Sequence, residues 1–143
     1  MKKHIQPIDI IKKKNSKNKI TMLTAYDAIT AHLISKCEID MILVGDSLGN
    51  TIAGFENTIP VTMEQIILHS QYVSRGNSHC LVVGDMPFLS YQTSIDKARE
   101  NAGRLIKEGH AHAIKIEMVS SNTDTVKAII EMGIPVIAHI GFT

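Results

Sequence analysis

Five short apolar runs, separated by segments with helical spacing, constrain the fold of this chain more than any other feature of its sequence. Each run has the length of one strand and is rich in aliphatic and β-branched residues, without polar alternation. Strands of this composition are covered on both faces, as in parallel sheets flanked by helices. We predict strands at residues 20–24, 41–45, 81–84, 113–116 and 136–140.

The segments between the runs carry helix signals that do not depend on hydrophobicity. Thr62 and Gln65 have the spacing of a capping box, and Gly76, Gly109 and Gly133 lie where helices are expected to end. Two apolar stripes at helical spacing predict helix faces that pack on the sheet. The first contains Met63, Ile66, Ile67 and Val73, and the second contains Ile95, Ala98, Ala102, Leu105 and Ile106.

Strict alternation of strands and helices implies parallel strands joined by right-handed crossovers. An open doubly wound sheet and a closed (β/α)8 TIM barrel both fit this alternation. The open sheet usually has a glycine-rich phosphate loop after its first strand, but residues 24–28 read TAYDA. The sequence therefore favours the barrel.

A complete barrel of this kind typically has about 250 residues. The present chain has 143 and stops just after its fifth predicted strand, so we expect it to supply the first five strands and to be truncated at the C-terminus. We expect residues 1–19 to form an N-terminal helix and linker, and residues 20–143 to form the partial catalytic barrel. The helix would close the bottom of the barrel through its isoleucines, which are Ile5, Ile8, Ile10 and Ile11.

Composition argues against several classes of partner. The 15 basic and 14 acidic side chains give a formal charge of +1, so no global field attracts nucleic acid or anionic membranes. The lysines of residues 12–19 are interpreted as a solvated helix end and linker. No signal-peptide core or bilayer-length apolar run is visible, which predicts a cytoplasmic protein.

Cys37 and Cys80 match no metal spacing and are expected to be reduced core thiols. His110 and His112 have the spacing of two metal ligands, but no third ligand for a metal is evident.

Ionisable residues recur where the predicted strands end: Asp27, Asp46, Asp85, Glu117 and His139. The carboxyl ends of barrel strands share one face, so residues distant in sequence converge there. Clustered carboxylates repel one another unless a cation neutralises them, and oxygen ligands suit Mg²⁺. We therefore predict that Asp46, Asp85 and Glu117 hold a divalent metal. For any single aspartate, capping of the following helix is the alternative.

Three further residues are candidates for substrate binding. Lys115 lies two positions before Glu117, so both point to the same side of a strand. An inward lysine is costly unless it meets an anion, either a substrate carboxylate or a neighbouring acid. Ser47 lies in the glycine-flanked segment VGDSLG, which suits either close approach of a ligand or a tight turn. His139 is either a hydrogen-bond donor to a pocket or a satisfied core histidine.

Several motifs together resemble those of the ketopantoate hydroxymethyltransferase family. They are TAYD at 24–27, VGDSLG at 44–49, TIPVT at 58–62, GDMPF at 84–88 with Tyr91 beyond it, KIE at 115–117 and HIGFT at 139–143. The resemblance implies a (β/α)8 barrel with Mg²⁺ on Asp46, Asp85 and Glu117. It also implies that a 2-oxo acid binds through Asp46, Ser47, Asp85 and Lys115.

The resemblance further implies a reaction of pantothenate biosynthesis. The substrate would be 3-methyl-2-oxobutanoate, the one-carbon donor 5,10-methylenetetrahydrofolate, and the product 2-dehydropantoate, formed through a metal-stabilised enolate. The family's catalytic base is a glutamate in the second half of the barrel, so no residue of this chain is assigned that role. Family members are homo-oligomers, commonly decamers. The alternatives are another Mg²⁺-dependent 2-oxo-acid barrel of the phosphoenolpyruvate mutase and isocitrate lyase type, which TAYD and TIPVT argue against, and an inactive truncated product.

Overall fold

Five parallel strands form one sheet in the order of the chain. In this computed structural model, which describes residues 3–14 and 16–141, the strands are β1 (Met22–Thr24), β2 (Met41–Val44), β3 (Leu81–Asp85), β4 (Ala113–Glu117) and β5 (Val136–His139). Each crossover leads to the adjacent strand, as in a barrel, whereas a doubly wound sheet reverses direction at a switch point. The predicted strands and the barrel-type order are confirmed.

Helices alternate with the strands as the sequence predicts. They are α1 (Pro7–Lys13), α2 (Ala28–Ile34), α3 (Leu48–Thr51), α4 (Met63–Gly76), α5 (Ile95–Lys107) and α6 (Thr123–Glu131), with a 3₁₀ turn at Ser120–Asn122 before α6. The capping box at the start of α4 is present: Gln65 N–H donates to Thr62 Oγ1 at 3.2 Å, and Thr62 N–H donates to Gln65 Oε1 at 2.9 Å. Gly133 follows α6 with φ +81°, a left-handed conformation that glycine adopts without strain.

The two faces of the sheet belong to different apolar clusters, because successive strand residues point to opposite sides. The face packed against the helices contributes Ile42, Val44, Val82, Ile114 and Ile116 to the main core. The other face, called the inner face below, contributes Met41, Leu81, Val83 and Ala113.

The predicted helix stripes are largely confirmed. All four residues of the α4 stripe are buried, as are Ala98, Ala102 and Leu105 of α5. Ile95 is an exception: it is the first residue of α5 and is exposed, since the first turn projects beyond the sheet-facing stripe.

The N-terminal segment covers the lower end of the inner face. Ile5 and Ile10 pack against the inner-face cluster, as expected of a helix that closes the bottom of the barrel. Ile8 and Ile11 are exposed, so the expectation that they contribute to this contact is wrong. A seven-residue helix presents one side to the sheet, and these two isoleucines lie on the other.

The two cysteines differ in burial. Cys80 is buried while Cys37 is exposed, so the expectation of a core position is wrong for Cys37. Cys37 follows the end of α2, beyond the residues that pack on the sheet.

Within the described ranges, no helix has both the length and the apolar character needed to cross a membrane. The last two residues of the HIGFT motif, Phe142 and Thr143, lie outside the described residues.

Candidate functional site

The carboxyl ends of β3, β4 and β5 bring four ionisable side chains together. Asp85 ends β3 and pairs in register with Lys115 of β4, while Glu117 ends β4 and pairs with His139, the last residue of β5. All four occupy the strand positions that alternate with the helix-facing residues, so they lie on the inner face. Strand period and parallel register thus join residues that are up to 54 positions apart, Asp85 to His139.

A continuous set of ionic contacts links these four side chains. Lys115 Nζ donates to both oxygens of Asp85 at 3.0 Å and to Glu117 Oε1 at 2.6 Å. The second oxygen of Glu117 accepts from His139 Nδ1 at 2.5 Å. Lys115 therefore meets acidic neighbours, which is one of the two alternatives that its inward position predicts.

Burial and charge shift the pKa values of this group in different directions. Asp85 is 3% exposed, and burial raises its pKa to about 6; the charge of Lys115 opposes the rise and that of Asp46 adds to it. Burial acts to lower the pKa of Lys115, but the charges and hydrogen bonds of its two acidic partners outweigh burial and raise it. The pKa of Glu117 is lowered, because its hydrogen bonds from Lys115 and His139 outweigh the opposing effect of burial.

Asp46 and Ser47 follow β2 at the same end of the sheet. Asp46 N–H donates to Asp85 Oδ2 at 3.3 Å, so this loop lies directly beside β3. The hydroxyl of Ser47 is hydrogen bonded to that of Tyr26 at 2.6 Å. A Cβ on Gly45 would lie 3.3 Å from Ser47 Oγ and 3.7 Å from Asp85 Oδ2, so glycine there permits this close packing.

A cavity of about 330 Å³ opens over these strand ends. Its lining includes Asp46, Asp85 and Glu117, the three predicted metal ligands, while Lys115 and His139 contact the lining carboxylates. The apolar part of the wall comes from Ile59, Met86, Phe88, Tyr91 and Val119.

The donor chemistry of this cavity suits a hard divalent cation, because three carboxylates line one space. As the side chains lie, however, Lys115 takes hydrogen bonds to Asp85 and Glu117. In residues 3–14 and 16–141, no three His, Cys, Asp or Glu side chains are already grouped as metal ligands. Convergence of the three carboxylates on one centre therefore stays a prediction.

Sequence reasoning about single residues missed two tyrosines of this site. Tyr26 orients Ser47, and Tyr91 is buried in the cavity wall, where burial raises its pKa and the charge of Glu117 adds to the rise. Both tyrosines lie in or beside motifs of the family resemblance, which was the available signal. Asp27 has a different place: it caps α2 by accepting from Thr30 N–H at 2.8 Å, so the capping alternative applies to it.

The histidine pair lies away from this site. His112 precedes β4 at its amino end, and its Nδ1 accepts from the backbone N–H of Val82 at 3.0 Å. His110 has a left-handed backbone with φ +58° in the loop before it. His112 thus uses one ring nitrogen within the fold, at the opposite end of the strands from the carboxylates.

Comparisons with known proteins agree with the motifs. The family model described as ketopantoate hydroxymethyltransferase matches residues 4–143. A 3-methyl-2-oxobutanoate hydroxymethyltransferase of Geotalea daltonii is 54% identical over 143 residues, covering 100% of this chain and 54% of the relative. The Thermotoga maritima protein of the same name is 52% identical over 136 residues, covering 95% of this chain and 50% of the relative. The chain spans about half the length of the curated relatives it matches.

A solved structure of phosphoenolpyruvate phosphomutase from Streptomyces platensis subsp. rosaceus is similar in fold. It aligns with a TM-score of 0.69 and 14% identity, covering 87% of this chain and 50% of that chain. At this identity the likeness concerns the fold alone. It agrees with a partial (β/α)8 barrel and gives no support to the mutase as an alternative function.

Proposed function

This chain belongs to the ketopantoate hydroxymethyltransferase family, and from that premise we propose that the protein transfers a hydroxymethyl group to 3-methyl-2-oxobutanoate. The donor would be 5,10-methylenetetrahydrofolate and the product 2-dehydropantoate, a step of pantothenate biosynthesis. The observation that carries this proposal is the Asp85–Lys115–Glu117 group beside Asp46, at the carboxyl ends of the strands. Barrel enzymes build their active sites at this end.

Formal charge favours a divalent cation in the cavity. The three carboxylates outnumber the single ammonium of Lys115 around it. An anionic 2-oxo acid would be repelled by this surplus unless a cation offset it. We therefore propose Mg²⁺ on Asp46, Asp85 and Glu117, where it would supply Lewis-acid polarisation of the substrate's keto group when bound.

The remaining residues have roles in binding the substrate. Lys115 provides an ammonium for the substrate carboxylate, and Ser47 provides a hydroxyl whose orientation is fixed by Tyr26. Asp46 and Asp85 line the same cavity and would border the bound substrate. His139, the last residue of β5, would donate a hydrogen bond to that substrate. No residue of this chain is assigned as the proton acceptor. A homo-oligomeric, cytoplasmic enzyme is part of the same proposal.

Calorimetric titration of 3-methyl-2-oxobutanoate, with and without Mg²⁺, tests the proposal through Asp85→Asn. This change preserves shape and removes one negative charge, so Mg²⁺-dependent binding should weaken by roughly tenfold or more. Asp27→Asn is the matched control: it makes the same chemical change at an aspartate that caps α2, and asparagine caps helices equally well.

Two results would contradict the proposal. One is unchanged Mg²⁺-dependent affinity in Asp85→Asn. The other is tighter binding of phosphonopyruvate than of 3-methyl-2-oxobutanoate by the unmodified chain, which would favour chemistry of the mutase type.

A further inference from the structure

His69 of α4 contacts the loop that follows β1, at the tyrosine that orients Ser47. Its ring Nδ1 is hydrogen bonded to the backbone carbonyl oxygen of Tyr26 at 2.6 Å. A carbonyl oxygen only accepts hydrogen bonds, so Nδ1 carries the proton in this contact and donates it. The imidazole therefore holds the backbone of Tyr26 from the side of α4.

The same two residues also meet through their rings. The ring centroids of Tyr26 and His69 lie 6.4 Å apart with an interplanar angle of 89°, which is an edge-to-face arrangement. On its own helix, His69 makes a similar contact with Tyr72, at 5.8 Å and 79°. His69 thus holds Tyr26 through a polar contact to its backbone and an aromatic contact to its side chain.

The helix that carries His69 is better fixed than the loop it contacts. Helix α4 packs against α2, and Val73 of α4 lies in the same buried apolar core as Ala31 of α2. Tyr26 belongs to no helix or strand, since it lies between the end of β1 at Thr24 and the helix cap Asp27. The place of a loop side chain depends on the groups that anchor it, and His69 is such an anchor.

A continuous series of contacts leads from α4 to the carboxylate site. His69 holds Tyr26, and the hydroxyl of Tyr26 is hydrogen bonded to that of Ser47 at 2.6 Å. Ser47 follows Asp46, whose backbone N–H donates to Asp85 Oδ2. His69 itself is not part of the lining of the cavity over the strand ends, so its effect on a ligand there has to pass through Tyr26.

We propose that His69 is a positioning residue of the candidate site: it fixes Tyr26 and, through the Tyr26 hydroxyl, directs the hydroxyl of Ser47 toward the 2-oxo acid. The inference rests on the proposed function, because the binding of the substrate by Ser47 gives this series of contacts its consequence. Loss of His69 lets Tyr26 shift and leaves the Ser47 hydroxyl without a fixed partner. The three carboxylates keep their places, so the affinity for Mg²⁺ does not change.

A double-mutant cycle with Tyr26→Phe tests the proposal. His69→Leu removes the donor and should weaken calorimetric binding of 3-methyl-2-oxobutanoate in the presence of Mg²⁺ about three- to tenfold, the value of one hydrogen bond. In the Tyr26→Phe background the same change should cost less than about twofold, because the hydroxyl through which it acts is already absent. A residue with a merely structural role would instead give losses that add.

His69→Asn is the conservative variant, because its Nδ2 is attached to Cγ as Nδ1 of histidine is and is able to donate from the same place. It should recover most of the affinity that His69→Leu loses. His32→Leu makes the same change at an exposed histidine of α2 and is the control, with unchanged affinity expected.

A second measurement needs no substrate. In ¹⁹F NMR of the chain labelled with 3-fluorotyrosine, the Tyr26 line is identified by its loss in Tyr26→Phe. This line should be broadened or split in His69→Leu and narrow in His69→Asn, because only the first variant releases the loop.

Several outcomes would overturn the inference: equal 2-oxo-acid affinity in His69→Leu and the unmodified chain, additive losses in the double variant, or no recovery in His69→Asn. A Tyr26 line that stays narrow in His69→Leu would overturn it as well. Absence of Mg²⁺-dependent binding of the 2-oxo acid by the unmodified chain counts against the proposed function, whereas the NMR line still decides whether His69 fixes Tyr26.

Discussion

Tyr26 determines how one side chain of the candidate site is presented. Its hydroxyl is hydrogen bonded to that of Ser47 at 2.6 Å, which joins the loop after β1 to the loop after β2. Tyr26→Phe should leave Ser47 free to rotate and should weaken binding of 3-methyl-2-oxobutanoate about three- to tenfold, the value of one hydrogen bond. Mg²⁺ affinity, measured by calorimetry without substrate, should not change, because the three carboxylates are untouched.

Tyr72→Phe is the control for this prediction, since it removes a hydroxyl from a tyrosine on α4 whose ring contacts His69 and Arg75 away from the cavity. Equal 2-oxo-acid affinity in Tyr26→Phe and the unmodified chain would show that Ser47 needs no positioning partner. A comparable loss in Tyr72→Phe would attribute the effect to general destabilisation.

Single residues of the site differ in how well the sequence predicts them. Asp85, Lys115 and Glu117 were predictable, because a period of two and a parallel register fix their side of the sheet. The contact of Tyr26 with Ser47 was not, because it joins two loops, and loop side chains follow no period. The bridge of Lys115 between two carboxylates was predicted only as one of two alternatives, since the sequence does not reveal which anion an inward lysine meets.

At the scale of secondary structure, His112 extends the ladder between β3 and β4. Its backbone N–H donates to the Val82 carbonyl oxygen at 2.8 Å, and its ring Nδ1 accepts from Val82 N–H at 3.0 Å. The second bond requires a neutral ring with Nδ1 unprotonated. Burial lowers the pKa of His112, and the positive charge of His4 lowers it further. Arg75 and His110 line the same surface cavity as His4 and His112.

This bond predicts a pH dependence of stability. The unfolded chain binds a proton at His112 near pH 6.5, while the folded chain resists protonation until lower pH. The unfolded state then holds more protons, so stability is complete above about pH 6.5 and is lost as pH falls toward the lowered folded pKa. His112→Gln should reduce this loss, measured as urea midpoints between about pH 8 and 5.5.

His32→Gln makes the same substitution at an exposed histidine in the last turn of α2 and serves as the control. If the midpoints of His112→Gln fall with pH as steeply as those of the unmodified chain, another group governs the acid sensitivity. A flattened curve in His32→Gln would lead to the same conclusion.

Secondary structure elements were predicted best where length and period reinforce each other. The α4 and α5 segments combine apolar stripes with capping signals, and both formed helices with those faces buried. The four-residue α3, which begins within VGDSLG, carried no such signal, because so short a helix has no stripe. There Gly49 packs so closely on Val61 that an added Cβ would lie 2.7 Å from it, which supports the interpretation of this segment as a tight turn.

At the scale of the whole molecule, the two outer strands of the sheet, β1 and β5, favour association with other polypeptides. In the described part of the chain, β1 pairs with β2 alone and β5 with β4 alone. All three residues of β1 are exposed, and Ile29 and Leu33 expose an apolar side of the neighbouring α2. Unpaired edges flanked by apolar surface promote association with other strands. Relatives about twice as long match this chain over one half of their length, so a polypeptide of these 143 residues carries half of a barrel enzyme's framework.

We therefore expect a polypeptide of these 143 residues, expressed by itself, to self-associate in size-exclusion chromatography and to form little 2-dehydropantoate. Absence of a positioned general base slows proton removal by about 10²- to 10⁴-fold, even where the substrate-binding groups are present. Co-expression with the second half of a relative should give a defined assembly and turnover, because relatives match this chain over only about half of their own length. Leu23→Lys, on the β1 edge, should reduce self-association of the isolated chain more than Ile130→Lys, which charges an exposed isoleucine on α6. Turnover by the isolated chain at the rate of the reconstituted pair would contradict this prediction, because it would require a base and a closed site within these 143 residues.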